Sequence, residues 1–209
     1  MDFRHPLATI TPTLDGQVLS VLAGADAEFT GRQVHRLLGT HSERGVRKVL
    51  NRLVEQGVVL SRKAGPANLY QLNRDHLATP WIEGLVGLRR ELLERLKAEV
   101  STWQIRPAVG TVFGSAARGE ASTESDIDLL LIRPAASDDG REAWEAQLAS
   151  LQAKASAWTG NDARILEFSE EELRGSAGQQ DVLKAVAREG LFFAGSRVTI
   201  KRLIKRSAR

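Results

Sequence analysis

Val112-Phe113-Gly114-Ser115, followed by Ser125-Asp126-Ile127-Asp128-Leu129, forms the most informative part of this chain. Ten residues separate the glycine–serine pair from the first aspartate, and an apolar run adjoins each segment. The pattern predicts one strand that ends at Gly114 and a second strand that begins at the aspartates. Because side chains alternate between the two faces of a strand, Asp126 and Asp128 should project to one face.

These residue types suit the binding of phosphate and of a divalent cation. Gly114 lets the backbone approach a ligand closely, and Ser115 supplies a hydroxyl and a backbone N–H at a helix start. Two neighbouring carboxylates repel each other unless a cation neutralises them, and Mg²⁺ or Mn²⁺ prefers such oxygen ligands. The residues therefore predict a nucleoside triphosphate site with a cation on Asp126 and Asp128. In the plainer alternative, both aspartates are solvated strand-end acids beside an ordinary turn.

The two segments, together with Ala117-Arg118-Gly119-Glu120, resemble the DNA polymerase β-like nucleotidyltransferase superfamily and, within it, the minimal nucleotidyltransferases. The resemblance covers roughly residues 105–195. It implies an α+β domain with a mixed sheet, which transfers a nucleotidyl group from an NTP, with ATP expected, to a hydroxyl. It also implies that Asp126 and Asp128 are catalytic residues and metal ligands. From their chemistry and position, the candidate nucleotide-binding residues are Gly114, Ser115, Arg118 and Lys184. For Lys184, a solvated surface position is the alternative.

One position departs from the pattern of that superfamily. Its members usually carry a third carboxylate on the next strand, where this chain has Ala163-Arg164-Ile165-Leu166 and therefore an arginine. Glu167 faces the opposite side of that strand by alternation, so it is not an easy substitute. Arg164 could instead pair with Asp126 or Asp128, or hold a phosphate. The roles of Arg164 and Glu167, and with them the retention of transfer activity, stay open at this point.

The first 72 residues predict three helices followed by a β-hairpin. The helices are placed at 14–23, 30–38 and 42–56, with Thr30 as N-cap of the second and Ser42 as N-cap of the third, and the strands at 58–63 and 68–72. This order resembles the winged helix-turn-helix of bacterial transcriptional regulators, whose third helix enters the major groove while the hairpin, or wing, touches the backbone. The implied contacts to double-stranded DNA are Arg44, Arg47, Lys48, Arg52, Arg62 and Lys63. In the alternative, these cations are solvated and the winged helix contacts protein.

Four segments follow from the changes of pattern and charge along the chain. They are a winged helix-turn-helix domain at 1–78, a connecting amphipathic helix at 79–104, a nucleotidyltransferase-like domain at 105–196 and a basic tail at 197–209. Residues 1–80 have a net charge of +3, residues 81–196 of −6 and residues 197–209 of +6. Basic ends could meet phosphates, and an acidic middle could hold cations. The tail could be a strand or helix docked on the body, a nucleic-acid arm or a disordered end.

An apolar stripe along the connecting helix predicts a homodimer. Its members recur at helical spacing and are Leu85, Leu88, Leu92, Leu96 and Val100. The stripe could pack on the two domains or pair with a second copy. Because two-fold symmetric operators match two-fold symmetric proteins, a DNA-binding chain of this kind is expected to dimerise.

The composition excludes several classes of protein. With 42% hydrophobic and 26% charged residues, the chain is expected to be globular rather than disordered. No apolar run approaches the ~20 residues that span a bilayer, and the first residues lack the apolar core of a signal peptide. The chain has no cysteine, which excludes disulfides, thiolate zinc sites and cysteine nucleophiles. We therefore expect a cytoplasmic protein with no membrane partner.

The leading prediction is a DNA-binding transcriptional regulator. Its second domain binds Mg–NTP and, where active, transfers a nucleotidyl group to a hydroxyl of a protein or small molecule. One alternative is a non-enzymatic regulator whose degenerate domain senses nucleotide. Another is an antitoxin with a toxin as its protein partner, because the resembling minimal nucleotidyltransferases often accompany HEPN-type toxins. Arg164 favours the non-enzymatic alternatives, whereas Gly114-Ser115 and the two aspartates favour the enzyme.

Overall fold

The computed structural model of the chain describes residues 1–39, 41–135, 140–175 and 180–207. Within these ranges, helices combine with two β-sheets in an α+β arrangement, as the sequence predicts. The chain divides into two compact units. Residues 4–88 with Asp2 form the N-terminal unit, and residues 89–209 with Met1 and Phe3 form the C-terminal unit.

The N-terminal unit contains several helices and a small antiparallel sheet. In chain order its elements are a 3₁₀ helix (Pro6–Thr9), α1 (Leu14–Ala23), β1 (Phe29–Thr30), α2 (Gly31–Leu38), α3 (Glu43–Glu55), β2 (Val59–Ala64), β3 (Ala67–Leu72) and α4 (Thr79–Val86). The strands lie in the order β1-β3-β2, and β2 pairs along its whole length with β3. Helices α1 to α3 and the β2–β3 hairpin thus occur in the predicted order, whereas no sequence pattern predicts β1.

Side-chain caps determine where α2 and α3 begin. The Thr30 hydroxyl accepts a hydrogen bond from the Gln33 backbone N–H at 3.2 Å, and the Gln33 side chain accepts one from the Thr30 N–H at 2.7 Å. Ser42 Oγ accepts a hydrogen bond from the Gly45 N–H at 3.1 Å. Such caps satisfy N–H groups that the first turn of a helix leaves without partners inside the helix. Both caps agree with the sequence prediction.

An aliphatic core joins α1, α2 and α3 to the small sheet. Its fully buried members include Val18, Leu22, Val34, Val46 and Leu50. Burying one such side chain contributes about 1.5–3 kcal/mol. Because α3 turns its apolar side to this core, its charged side faces water.

The C-terminal unit is built on a four-stranded mixed sheet. The elements from α5 onward are α5 (Leu88–Ser101), β4 (Val109–Phe113), α6 (Gly114–Arg118), β5 (Ile127–Arg133), α7 (Arg141–Thr159), β6 (Ala163–Ser169), α8 (Glu172–Gly175), α9 (Gln180–Glu189), β7 (Leu191–Ala194) and α10 (Arg197–Ser207). The strand order is β6-β5-β4-β7, with β5 parallel to β6 and β4 antiparallel to both of its neighbours. Strand β7 is not among the predicted strands. None of the helices described is both long and apolar enough to cross a bilayer.

The basic tail forms a helix that packs on this unit. Ile200 and Leu203 of α10 belong to the same buried cluster as Leu130 and Ile132 of β5 and Val186 of α9. The first of the three structures considered for the tail, a docked element, is therefore confirmed for residues 197–207.

The prediction of a single connecting helix at 79–104 is wrong, because the structure has two helices in this range. Helix α4 ends at Val86 and α5 begins at Leu88. Between them Gly87 has φ −84° and ψ 8°, and glycine is a weak helix former. Of the predicted apolar stripe, Leu92, Leu96 and Val100 are buried. These three side chains are packed within the chain, so they cannot pair with a second copy.

Candidate functional site

A tight turn between β4 and α6 brings Gly114 against the second aspartate. Gly114 has a φ of +67°, in the left-handed region that favours glycine. Its neighbour Phe113 lies opposite Asp128 in the antiparallel pairing of β4 with β5. A Cβ atom at position 114 would lie 2.7 Å from Oδ2 of Asp128. The missing side chain therefore lets the turn and the carboxylate approach each other.

The short helix α6 carries Ser115 and ends in a loop that is held by an arginine. The Ser115 carbonyl accepts a hydrogen bond from the Glu120 N–H at 2.8 Å, which closes the turn after α6. Nη1 of Arg89 donates to the Ala117 carbonyl at 3.1 Å. The same atom would lie 2.8 Å from a Cβ at Gly119, whose φ is +74°. Arg89 thus holds this loop, and no sequence pattern singles it out.

The loop that leads into the aspartates is held by Asn161. Its Nδ2 donates to the carbonyls of Ser122 at 2.9 Å and of Ser125 at 2.7 Å. Asn161 is 4% exposed, and a buried amide is stable only when its polar groups are hydrogen-bonded. The sequence shows Asn161 only as the residue after the glycine that ends α7, so its role here is not predictable from the local pattern.

Asp126 and Asp128 lie at the beginning of β5 and form a centre of negative charge. Partial burial raises the pKa of the Asp128 carboxyl, and the charge of Asp126 raises it further, whereas Arg164 acts to lower it. Loss of water and a neighbouring like charge both disfavour the ionised carboxylate. The pair is therefore a place where a cation is electrostatically favoured.

Arg164 supplies a cation to this pair. It lies directly beside Asp128 in the parallel register of β5 and β6. Its Nη1 is 2.8 Å from Oδ2 of Asp126, and its Nε is 3.4 Å from Oδ2 of Asp162. Of the arrangements that the sequence leaves open, the structure shows the ion pair with Asp126. The Arg164 side chain is 66% exposed, so this ion pair is in contact with water.

Glu167 is engaged on the other face of β6. Nε1 of Trp144 donates to Glu167 Oε1 at 2.7 Å, and Nε of Arg133 lies 3.7 Å from the same oxygen. The Glu167 carboxylate is therefore held away from the two aspartates, in agreement with strand alternation.

The residues present do not fit a two-metal centre. Among the described residues, no three histidine or acidic side chains come together as a metal site. Asp126 is already bonded to a guanidinium, and the nearest acid of β6, Glu167, is directed elsewhere. Divalent ions in proteins usually have several oxygen ligands. The Asp126–Asp128 pair alone falls short of that number.

Arg118 is directed at two glutamates. Its Nε donates to Glu120 Oε2 at 2.7 Å, and its Nη1 donates to Glu189 Oε1 at 3.2 Å. These two carboxylates, Glu120 first, raise the pKa of the guanidinium. Lys184 is exposed on α9, the helix that ends with Glu189. A phosphate that uses Arg118 must therefore compete with both carboxylates.

The six cations predicted to contact DNA are all exposed, and we call them the α3–β2 cation surface. They are Arg44, Arg47, Lys48, Arg52, Arg62 and Lys63. Three of them have carboxylate partners, in the pairs Arg47–Glu43, Arg52–Asp15 and Arg62–Glu28. Within the part of the chain that the structure describes, Arg44, Lys48 and Lys63 form no ion pair. The structure thus divides a set that the sequence treats as uniform.

A polar surface cleft of about 380 Å³ adjoins this cation surface. Arg32 of α2, Asn51 of α3 and Asn68 of β3 line it together with Arg47. Sequence reasoning does not select these three residues, because they come from elements that only the tertiary fold brings together.

Residues 89–179 match the family model described as the nucleotidyltransferase domain. This match confirms the prediction of such a domain in the second half of the chain. The matched range contains the Gly114-Ser115 turn, both aspartates and Arg164. No protein in the curated set matches this chain.

Several solved structures resemble part of the chain. A toxin–antitoxin structure with AMP-PNP is 17% identical, covers 56% of this chain and 83% of that chain, and has a TM-score of 0.39. A MntA–HepT toxin–antitoxin structure is 15% identical, covers 57% and 83%, and has a TM-score of 0.36. A tri-AMPylated HEPN toxin with MNT antitoxin from Shewanella oneidensis is 15% identical, covers 57% and 83%, and has a TM-score of 0.37.

Proposed function

We propose that the protein is a cytoplasmic DNA-binding regulator, in which the N-terminal unit is a winged helix and the nucleotidyltransferase domain binds a nucleotide. The observation that supports DNA binding best is the α3–β2 cation surface. All six of its cations are exposed. Within the described residues, Arg44, Lys48 and Lys63 have no carboxylate partner. Such cations can pair with DNA phosphates without displacing an acid first.

In the proposed complex, α3 lies in the major groove and the β2–β3 hairpin lies along the phosphate backbone. Arg44, Lys48 and Arg52 are spaced four residues apart on α3, so they form one stripe along the helix. Arg52 must leave Asp15 before it can meet a phosphate. A solvated ion pair contributes about 0–1 kcal/mol, so this exchange is feasible but reduces the gain.

A homodimer belongs to the same proposal. Two-fold symmetric DNA sites are bound by two-fold symmetric proteins, which doubles the number of phosphate contacts. Because Leu92, Leu96 and Val100 are buried, the interface has to come from other residues. Light scattering at micromolar concentration, with and without DNA, measures the oligomeric state directly. A monomer under both conditions contradicts this part of the proposal.

For the second domain, the geometry supports nucleotide binding without transfer, which is the non-enzymatic alternative. Gly114 and Ser115 would accept the phosphates, ATP being the expected nucleotide, with Arg118 and Lys184 as further candidates. The ion pair of Arg164 with Asp126 argues against transfer, because it engages one of the two carboxylates on which the reaction would depend.

Two measurements test the proposed function. Fluorescence anisotropy with a mixed-sequence DNA duplex should show binding that weakens steeply between ~50 and ~200 mM salt. Incubation with α-labelled NTPs and Mg²⁺ should show retained nucleotide but no covalent label on protein or small-molecule hydroxyls. Absence of DNA binding at low salt contradicts the first part. Label transfer that disappears in Asp126→Ala would instead establish an enzyme.

The antitoxin role stays a prediction. It requires a toxin partner, so the test is co-expression with the product of the adjacent gene. Growth that depends on this protein, and that is lost with Asp126→Ala, would support it. Growth that is the same with and without the protein would contradict it.

A further inference from the structure

We infer that the guanidinium of Arg164 is the resident cation of the Asp126–Asp128 pair and excludes divalent metal ions from it. The ion pair between Nη1 of Arg164 and Oδ2 of Asp126, at 2.8 Å, is the contact that carries this inference. This conclusion goes beyond the proposed function, because it holds whether or not the unit binds a nucleotide.

The position of Arg164 follows from the backbone and not only from its side-chain rotamer. Strands β5 and β6 are hydrogen-bonded in parallel, with Arg164 in register with Asp128. The loop before β6 adds to this registration, since the Ile127 N–H donates to the Asp162 carbonyl at 2.8 Å. The sheet therefore places the backbone of Arg164 beside the acidic pair, within reach of its side chain.

The surroundings of Arg164 are acidic on both sides. Asp126 accepts from Nη1, Asp162 lies 3.4 Å from Nε, and Asp128 is the neighbour across the strands. The guanidinium of Arg164 thus lies among three carboxylates and partly neutralises their charge. A divalent ion at Asp126 would meet the positive charge of Arg164 at short range, and like charges repel strongly there.

A metal ion must therefore displace a cation that is attached to the same chain. Tethering gives the guanidinium a high effective concentration at the pair, which a free ion has to exceed. Removing Arg164 takes away both the competitor and the repulsion. The vacated pair should then bind a divalent ion more tightly than it does beside Arg164, through its two carboxylates.

The experiment is calorimetric titration of the full chain with Mn²⁺ alone. Arg164→Ala should bind Mn²⁺ at least about fivefold more tightly than the wild type, and Arg164→Asp more tightly again because it adds a carboxylate. The matched control is Arg141→Ala, which removes an equal charge from an exposed ion pair with Glu145 on α7. That control should change the affinity by less than about twofold.

A double variant locates the effect. Arg164→Ala with Asp126→Asn should lose the affinity that Arg164→Ala gains, because one of the ligands is gone. Circular dichroism shows whether each variant folds. If Arg164→Asp does not fold, the comparison of Arg164→Ala with Arg141→Ala is sufficient for the test. The inference is overturned if Arg164→Ala binds Mn²⁺ no more tightly than Arg141→Ala, or if the gain survives in the double variant.

Discussion

Gly114 and Asp128 approach each other so closely that a Cβ at position 114 would lie 2.7 Å from Oδ2 of Asp128. The two residues belong to different parts of the sequence motif and to different elements, Gly114 to the start of α6 and Asp128 to β5. Their proximity shows that the glycine turn and the aspartate pair form one structural unit. A change at either residue should therefore affect the other.

Gly114→Ala is expected to destabilise the protein for two separate reasons. The left-handed backbone costs a non-glycine residue about 1–2 kcal/mol, and the new methyl group adds a steric conflict with Asp128. Gly160→Ala is the matched control, because Gly160 has a φ of +72° but nothing within 4 Å of its Cβ position. Urea unfolding should show a larger loss for Gly114→Ala. Equal losses would mean that the contact with Asp128 contributes nothing.

Asp128→Asn is expected to raise stability at neutral pH. The pKa of Asp128 is raised in the folded state, so the fold favours the protonated carboxyl and loses stability as the pH rises through that pKa. Asparagine removes the charge and keeps the shape. The gain in the free energy of unfolding should be below about 1 kcal/mol, because the Asp128 carboxyl is partly solvated. It should shrink as the pH falls towards the ordinary value of 3.8.

Thermal unfolding of both proteins across this pH range measures the effect. Glu142→Gln, which removes one negative charge from the exposed side of α7, controls for the change in net charge. A variant that is less stable than the wild type at neutral pH would contradict the prediction.

Arg44→Ala with Lys48→Ala is expected to weaken DNA binding more than Arg52→Ala. The first two cations have no ion pair within the described residues, whereas Arg52 is paired with Asp15. Each lost phosphate contact should reduce the slope of log affinity against log salt by about one. Anisotropy titrations at several salt concentrations give both quantities. Arg90→Ala, an exposed cation of α5, should leave the slope unchanged.

Asn161→Asp is expected to be more damaging than Asn161→Ala. In the wild type, Nδ2 of Asn161 donates to two carbonyls, those of Ser122 and Ser125. Aspartate has nearly the same shape but places an acceptor oxygen against these carbonyl oxygens, whereas alanine only leaves them without the donor. Unsatisfied buried groups cost about 1–3 kcal/mol. Urea unfolding orders the variants, and equal stability of all three proteins would contradict the role assigned to Asn161.

Much of the local architecture follows from the amino-acid sequence alone. Apolar periodicity, the Thr30 and Ser42 caps and the spacing of Gly114-Ser115 from the aspartates predict most of the helices and strands and the nucleotidyltransferase domain. Strand alternation also predicts that Glu167 lies away from the aspartates. These features depend on residues within a few positions of one another, and this is why a linear pattern reveals them. The short strands β1 and β7 are not predicted, because two to four residues are too few to show an alternating pattern.

The ion pairs around the site depend on the tertiary structure. The sequence leaves Arg164 with three possible partners. The register of β5 with β6 places it beside Asp128, and its side chain forms the ion pair with Asp126. Arg118 meets Glu189, 71 residues further along the chain, because α9 packs near α6. An ionic or hydrogen-bonded partner is chosen by distance in space, and sequence spacing sets that distance only within a single element.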